Sequence, residues 1–127
     1  DDVLNVASHR IGNSEIESAL GSHEATAEAA AIDKPHKIKG ESITAFIILK
    51  KGLKTSEALK KELKEHVVEE IGKIVKIDEL FFVKDLPKTR SGKIMRRVIR
   101  AKALGEPVGD ISTLANPEAV EEIGKAR

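Results

Sequence analysis

Leu59, Leu63, Val67 and Ile71 recur every four positions among Lys and Glu, a spacing that predicts one amphipathic helix. Thr55 is its expected N-cap and Gly72 its stop. The run Ile43-Thr44-Ala45-Phe46-Ile47-Ile48-Leu49, between Gly40 and Lys50-Lys51-Gly52, is β-branched and nearly unbroken, and reads as a buried strand. Leu80-Phe81-Phe82-Val83 reads as another. Ile94, Met95, Val98, Ile99 and Ala101 form the apolar stripe of a later helix, broken by Gly105-Glu106-Pro107. At the start, residues 1–12 alternate and end on Gly12, as a short strand or hairpin would. Ser14-Glu15-Ile16-Glu17 has the form of a capping box, so a helix is expected from Ser14 to about Gly21-Ser22. The Ala-rich stretch Thr26 to Ile32 has helical propensity but is short and closes on Asp33-Lys34-Pro35, which favours a strand. This order predicts a small two-layer α+β domain: a three-stranded sheet with an additional N-terminal hairpin, packed by about three helices. Residues 1–104 form the expected domain, and 105–127 a tail with one short helix after Asn116-Pro117.

Composition narrows the chemistry. A chain of 127 residues with 40% apolar content builds one core, and 2% aromatic content (three Phe) leaves little for stacking on bases. The formal net charge is only +1, so any functional basicity is local. The absence of Cys excludes disulfides, a thiolate zinc site and a cysteine nucleophile, and it fits a reducing, cytoplasmic setting. No apolar run approaches the roughly 20 residues of a membrane span, so no membrane partner is expected. Opening on Asp1 rather than Met, the chain reads as a piece of something longer.

The densest chemical signal is Leu86-Pro87-Lys88-Thr89-Arg90-Ser91-Gly92-Lys93-Ile94-Met95-Arg96-Arg97. Pro87 stiffens the entry and Ser91-Gly92 permits a tight exposed turn. Lys93 therefore stands at the junction of a mobile loop and a helix, where a long cation reaches an anion outside its own domain. Ser91-Gly92-Lys93 lacks the remainder of a phosphate-loop pattern. A second candidate is Ser8-His9-Arg10, whose Arg10 suits a phosphate. His23, His36 and His66 have no companion carboxylates at metal-ligand spacing.

These segments, in this order, resemble the C-terminal domain of the adenylate-forming superfamily, in its AMP-forming acetyl-CoA synthetase family. Asp1-Asp2-Val3-Leu4-Asn5-Val6 resembles the hinge motif, and Ser8-His9-Arg10-Ile11-Gly12 with Glu15-Ile16-Glu17 the loop and helix after it. Pro87 to Arg97 resembles the motif carrying the catalytic lysine, and Gly109-Asp110-Ile111-Ser112-Thr113-Leu114-Ala115-Asn116-Pro117 the acetyl- and propionyl-CoA synthetase branch. The resemblance implies a ligase that joins acetate to the α-phosphate of ATP with Mg2+, then passes the acyl group from acyl-AMP to CoA. It implies Lys93 as catalytic residue and acetylation site, Arg10 at the ATP or AMP phosphate, Ala7 and Ser8 at CoA, and Asp1 as hinge. It also implies a cation held by carbonyls of Gly21, His23 and Thr26. The implied partners are the enzyme's own N-terminal domain and a protein lysine acetyltransferase and deacetylase. This chain alone is expected to be inactive. The alternative is a basic binding module that docks Lys84 to Lys102 on nucleic acid or an acidic partner; that stretch has eight basic residues against Asp85 alone.

Three positions depart from the family pattern: Ser8 replaces a Gly, Val68 an Arg that contacts CoA, and Gly72-Lys73-Ile74 lacks a proline. A Gly at the first position serves either a positive φ or clearance for the pantetheine arm; the small Ser side chain favours clearance. In the full-length enzyme, Ser8→Leu is then expected to block thioester formation while sparing adenylation. Ser8→Gly should leave the melting temperature nearly unchanged and raise the CoA half-reaction. CoA-dependent turnover untouched by Ser8→Leu would place the thiol path elsewhere.

Overall fold

The computed structural model describes residues 3–6, 9–36, 38, 40–73 and 75–126. Strands β1 (Val3–Val6) and β2 (His9–Gly12) pair as an antiparallel hairpin, from Val3 opposite Gly12 to Val6 opposite His9. Helix α1 (Asn13–Gly21) follows directly. The main sheet has the order β3-β4-β5, with β3 (Thr26–His36) antiparallel to β4 (Gly40–Leu49) and β5 (Glu79–Phe82) parallel to it. Helix α2 (Glu57–Ile71) is the crossover from β4 to β5. Helices α3 (Arg96–Leu104) and α4 (Ala119–Ala126) end the chain.

The expected α+β domain is formed, with its three-stranded sheet and N-terminal hairpin, but among the described residues four helices rather than about three pack on it, and they cover both faces of the sheet rather than one. The reason is legible in β4, where every residue from Ser42 to Ile47 is buried, as in a strand covered on two sides. One parity of the strands (Ala29, Ala31, Ile43, Ala45, Ile47) packs with Ile16 and Leu20 of α1 and Leu63 and Val67 of α2. The other (Ala30, Ile32, Phe46) packs with Leu86, Ile99 and Ala103 on α3's side and Ile123 of α4. Small Ala side chains on β3 let the helices approach closely.

Several local expectations change. The capping box is not made: Gly12 occupies the N-cap of α1 without a side-chain bond, and Glu17 bonds Ala31 and Arg96 instead. Ser56, not Thr55, caps α2, its hydroxyl accepting the Leu59 N–H at 3.0 Å. Strand β3 runs four residues past Ile32 to His36, through Pro35. Because β3 is an edge strand, the missing proline N–H costs the ladder nothing on its open side. Lys34 on β3 donates to Glu79 on β5 at 2.9 Å, and the Thr44 hydroxyl of β4 donates to the same carboxylate at 3.2 Å. That hydrogen bond and charge from Lys34 hold the Glu79 carboxyl below its ordinary value.

The segment after Gly105 is built into the core. Gly105, at φ 73°, ends α3 in the left-handed conformation. Leu114 and Val120 then pack on Val98, and Ile123 is 0% exposed against the α3 face of the sheet. Ile123→Ala should therefore destabilise the domain by about 2–4 kcal/mol, the cost of emptying a well-packed aliphatic site. Chemical denaturation of the domain checks this; a loss well under 1 kcal/mol would make α4 peripheral.

Candidate functional site: a lysine on a pinned hairpin

The Lys93 segment is a tight hairpin whose stems are anchored, rather than a loose loop running into a helix. Lys88 bridges Ile94 in antiparallel fashion. Next to that bridge, the Thr89 N–H donates to the Lys93 carbonyl at 2.9 Å, and the Gly92 N–H donates to the Thr89 carbonyl at 2.9 Å. The Lys93 N–H donates to the Thr89 hydroxyl at 3.2 Å, and that hydroxyl also bonds the Ser91 hydroxyl at 2.9 Å. Gly92 closes the turn at φ +91°, a conformation that L side chains adopt only with strain. Helix α3 begins at Arg96, three residues beyond Lys93. Lys93 is thus an exposed cation whose backbone is fixed while its side chain projects from the domain.

Both stems are tied to distant parts of the chain. On the outgoing side, Arg96 forms a bidentate pair with Glu17 of α1, at 2.8 Å from Nε and 2.6 Å from Nη2. The same carboxylate accepts the Ala31 N–H of β3 at 2.8 Å. On the incoming side, the Asn116 side chain bonds Leu86, Lys88 and Asp85. The Lys88 ammonium lies 2.5 Å from Glu28 of β3. Neither Glu17 nor Asn116 is suggested by sequence spacing: the first sits in an apparent capping box, and the second reads only as a turn before Pro117.

The basic stretch spends much of its charge internally. Of its eight cations, Lys88, Arg96, Arg97, Arg100 and Lys102 bind partners within the chain. Arg97 donates to the carbonyls of Val108 and Asp110, and Arg100 to that of Asp33. The Ser112 N–H, with Arg97 nearby, holds the Asp110 carboxyl below its ordinary value. This arrangement gives the nucleic-acid alternative no support.

The remaining candidates fall elsewhere. Asp1, Ala7 and Ser8 lie outside the described residues, as does Ile74. Arg10 stands on β2 opposite Asn5, two residues before the turn into α1. Val68 lines a shallow groove with Lys64, Lys76 and Asp78. Gly21, His23 and Thr26 share the turn from α1 to β3, where the His23 carbonyl accepts the Thr26 N–H at 3.1 Å. His23 spends both ring nitrogens, Nδ1 on the Ala25 N–H at 3.0 Å and Nε2 on Glu62. The Thr26 hydroxyl is buried without a hydrogen-bond partner. Oxygen donors beside an orphaned hydroxyl fit a hard cation. Among the described residues no cluster of His, Cys, Asp or Glu could hold a metal, so such an ion would rest on carbonyls.

A cleft of about 470 Å³ lies among His23, Lys50, Lys51, Leu53 and Lys54 and includes no residue of the lysine hairpin. Lys93 is exposed on the surface of the domain, away from this cleft. Residues 15–93 match the family model described as the AMP-binding enzyme C-terminal domain, over half of the chain. The chain belongs to this family. Curated relatives include the acetyl-coenzyme A synthetase of Methanothrix thermoacetophila, 64% identical over 97% of this chain, and that of Pyrobaculum arsenaticum, 52% identical over 99%. The chain spans 19% of the length of each. Among solved structures, an acyl-CoA synthetase from Brucella canis superposes with TM-score 0.75 at 39% identity, over 79% of this chain and 18% of that one. An anthranilate CoA ligase in complex with anthranoyl-AMP gives TM-score 0.69 at 38% identity, over 76% of this chain and 19% of that one.

In this family member the Glu17–Arg96 pair closes the outgoing stem beside the lysine, with side-chain exposures of 12% and 22%. Glu17→Ala removes the carboxylate that Arg96 grips and that accepts the Ala31 N–H. It should cost about 2–4 kcal/mol, the scale for breaking a half-buried, hydrogen-bonded charge pair from one side. Thermal unfolding checks this, and a neutral outcome would mean that solvent replaces the carboxylate freely.

Proposed function

We propose that this chain is the C-terminal domain of an AMP-forming acetyl-CoA synthetase that converts acetate, ATP and CoA into acetyl-CoA, AMP and pyrophosphate. The observation that carries the reading is the exposed Lys93 on a pinned hairpin, in a chain 64% identical to an acetyl-coenzyme A synthetase. In the first half-reaction the acetate oxygen attacks the α-phosphorus and pyrophosphate leaves. In the second, the CoA sulfur attacks the acyl carbon and AMP leaves. Mg2+ travels with ATP and offsets charge on its phosphates.

Lys93 acts in the first half-reaction. Its ammonium orients the acetate carboxylate and stabilises the negative charge that builds as oxygen approaches phosphorus. A backbone held by four local hydrogen bonds lowers the entropy lost when the side chain reaches its target. Rotation about Asp1 then withdraws Lys93 and brings residues 6–12 to the site. There Arg10 holds the nucleotide phosphate, and Ala7 and Ser8 line the path of the thiol. The carbonyls of Gly21, His23 and Thr26 hold a structural cation at the turn from α1. The exposure of Lys93 also supports its modification: acetylation by a protein lysine acetyltransferase removes the charge while keeping the bulk, and a deacetylase restores it.

Lys93→Ala in the full-length enzyme is expected to slow acyl-AMP formation by roughly 10²–10³-fold, the scale for one oriented electrostatic group. Thioester formation from pre-made acyl-AMP should persist. Pyrophosphate release and thioester yield, measured separately, test both halves; equal losses in the two would refute the division of labour.

A further inference from the structure

We propose that Asn116, in the segment following α3, is a positioning residue for Lys93; this rests on the reading of Lys93 as the adenylation lysine. The argument is a chain of bonds. Lys93 has both backbone polar groups on Thr89, its N–H on the Thr89 hydroxyl at 3.2 Å and its carbonyl on the Thr89 N–H at 2.9 Å. The Lys93 backbone therefore goes where Thr89 goes. The residue before Thr89 is Lys88, and it too has both backbone groups held. Its N–H donates to Asn116 Oδ1 at 2.8 Å, and its carbonyl accepts the Ala115 N–H at 2.8 Å. Thr89 itself bridges Leu114. The stem of the lysine hairpin is thus laid along residues 114–116 as a short third strand.

Asn116 is the anchor of that strand for a chemical reason. Between Leu86 and Lys88 lies Pro87, which has no N–H, so the backbone cannot complete a regular ladder there. The Asn116 side-chain amide supplies what a peptide unit would. Its oxygen accepts from Lys88 on one side of the proline, and its Nδ2 donates to the Leu86 carbonyl at 2.8 Å on the other. The second Nδ2 proton goes to Asp85 Oδ2 at 2.9 Å, while Asp85 Oδ1 accepts the Leu86 N–H at 2.9 Å. Both donors and the acceptor of the amide are in use, and Leu86 is 0% exposed in the core. An aspartate could accept from Lys88 but would have nothing to donate to Leu86 or Asp85. The family match ends at Lys93, so this anchor lies beyond it.

The test separates positioning from general stability and uses the full-length enzyme. Asn116→Ala is expected to lower the single-turnover rate of acyl-AMP formation by roughly 10–10²-fold, as displacement of a reacting group by about an ångström does. Thioester formation from pre-made acyl-AMP should stay within about twofold of wild type, which also reports that the domain is folded. In a Lys93→Ala background, Asn116→Ala should cause no further loss of adenylation, because it acts through the lysine. Asn116→Asp alone sets two carboxylates together; adding Asp85→Asn restores a donor across that contact but not the one to the Leu86 carbonyl, so it should recover only part of the rate. Three results would overturn the proposal: adenylation unaffected by Asn116→Ala, equal losses in both half-reactions, or a full additional loss in the Lys93→Ala background. If Lys93→Ala itself leaves adenylation intact, the reading of Lys93 falls and takes this role with it. If Lys93→Ala abolishes adenylation and Asn116→Ala does not disturb it, only the role of Asn116 falls.

Discussion

The carboxylate of Glu17 is bound from two directions, by the Arg96 guanidinium at the start of α3 and by the Ala31 N–H on the open edge of β3. Three elements distant in sequence therefore meet at one charged group. Two half-buried charges add little net stability over a well-packed apolar contact, because their desolvation offsets most of their attraction. What the pair supplies is register. A fork-on-carboxylate contact tolerates little rotation, whereas the apolar face of α3 could slide along the sheet at small cost. With Arg96 fixed, the residue three positions earlier is fixed as well, and that residue is Lys93. The dependence of a solvent-exposed lysine on a half-buried glutamate follows from this geometry.

The same helix solves the edge problem of the sheet. Strand β3 has β4 on one side only, so alternate backbone groups on its outer side need partners. Asn13 donates to the Ala31 carbonyl at 2.6 Å while Glu17 accepts the Ala31 N–H, and Arg100 donates to the Asp33 carbonyl at 3.1 Å. Polar side chains from α1 and α3 thus engage both backbone groups of Ala31 and the carbonyl of Asp33 along the edge. Satisfying the edge with helix side chains couples both helical layers to one strand. That coupling fixes the backbone of the presented lysine relative to the sheet.

How much of this was legible in the residues depended on the range of the interaction. The periodic helix α2 and the buried strand β4 follow from local pattern alone; α2 formed within two residues of expectation, and β4 begins at Gly40, three residues before the expected Ile43. The lysine motif was legible as chemistry because its residues are contiguous. Glu17 was misread because a capping box and a long-range ion pair have the same local sequence, and only Arg96, 79 residues away, decides between them. Strand β3 was shortened because Pro35 ends most elements, and its edge position, a tertiary fact, is what lets the strand continue. Residues 105–127 looked like a tail because Leu114, Val120 and Ile123 are widely spaced, yet they fill gaps around Val98 and Ile99 left by a short α3. Asp1, Ala7 and Ser8, which the resemblance assigns to the hinge and the thiol path, lie outside the described residues.

Two anchors with opposite chemistry hold the two stems of the lysine hairpin. The outgoing stem is held by charge, through Arg96, and the incoming stem by neutral hydrogen bonds, through Asn116. The combination suits the electrostatic role proposed for Lys93. If Lys88, which sits on the incoming stem beside the same turn, were left unpaired, its charge would compete with Lys93 for any incoming anion. Glu28 neutralises it within the domain. With Arg96, Arg97 and Arg100 likewise occupied, the chain narrows a strongly basic segment to a few outward cations and stiffens the backbone of one of them. The proposed orientation of one developing negative charge would require this economy, because a diffuse basic surface binds a polyanion in many poses and orients none.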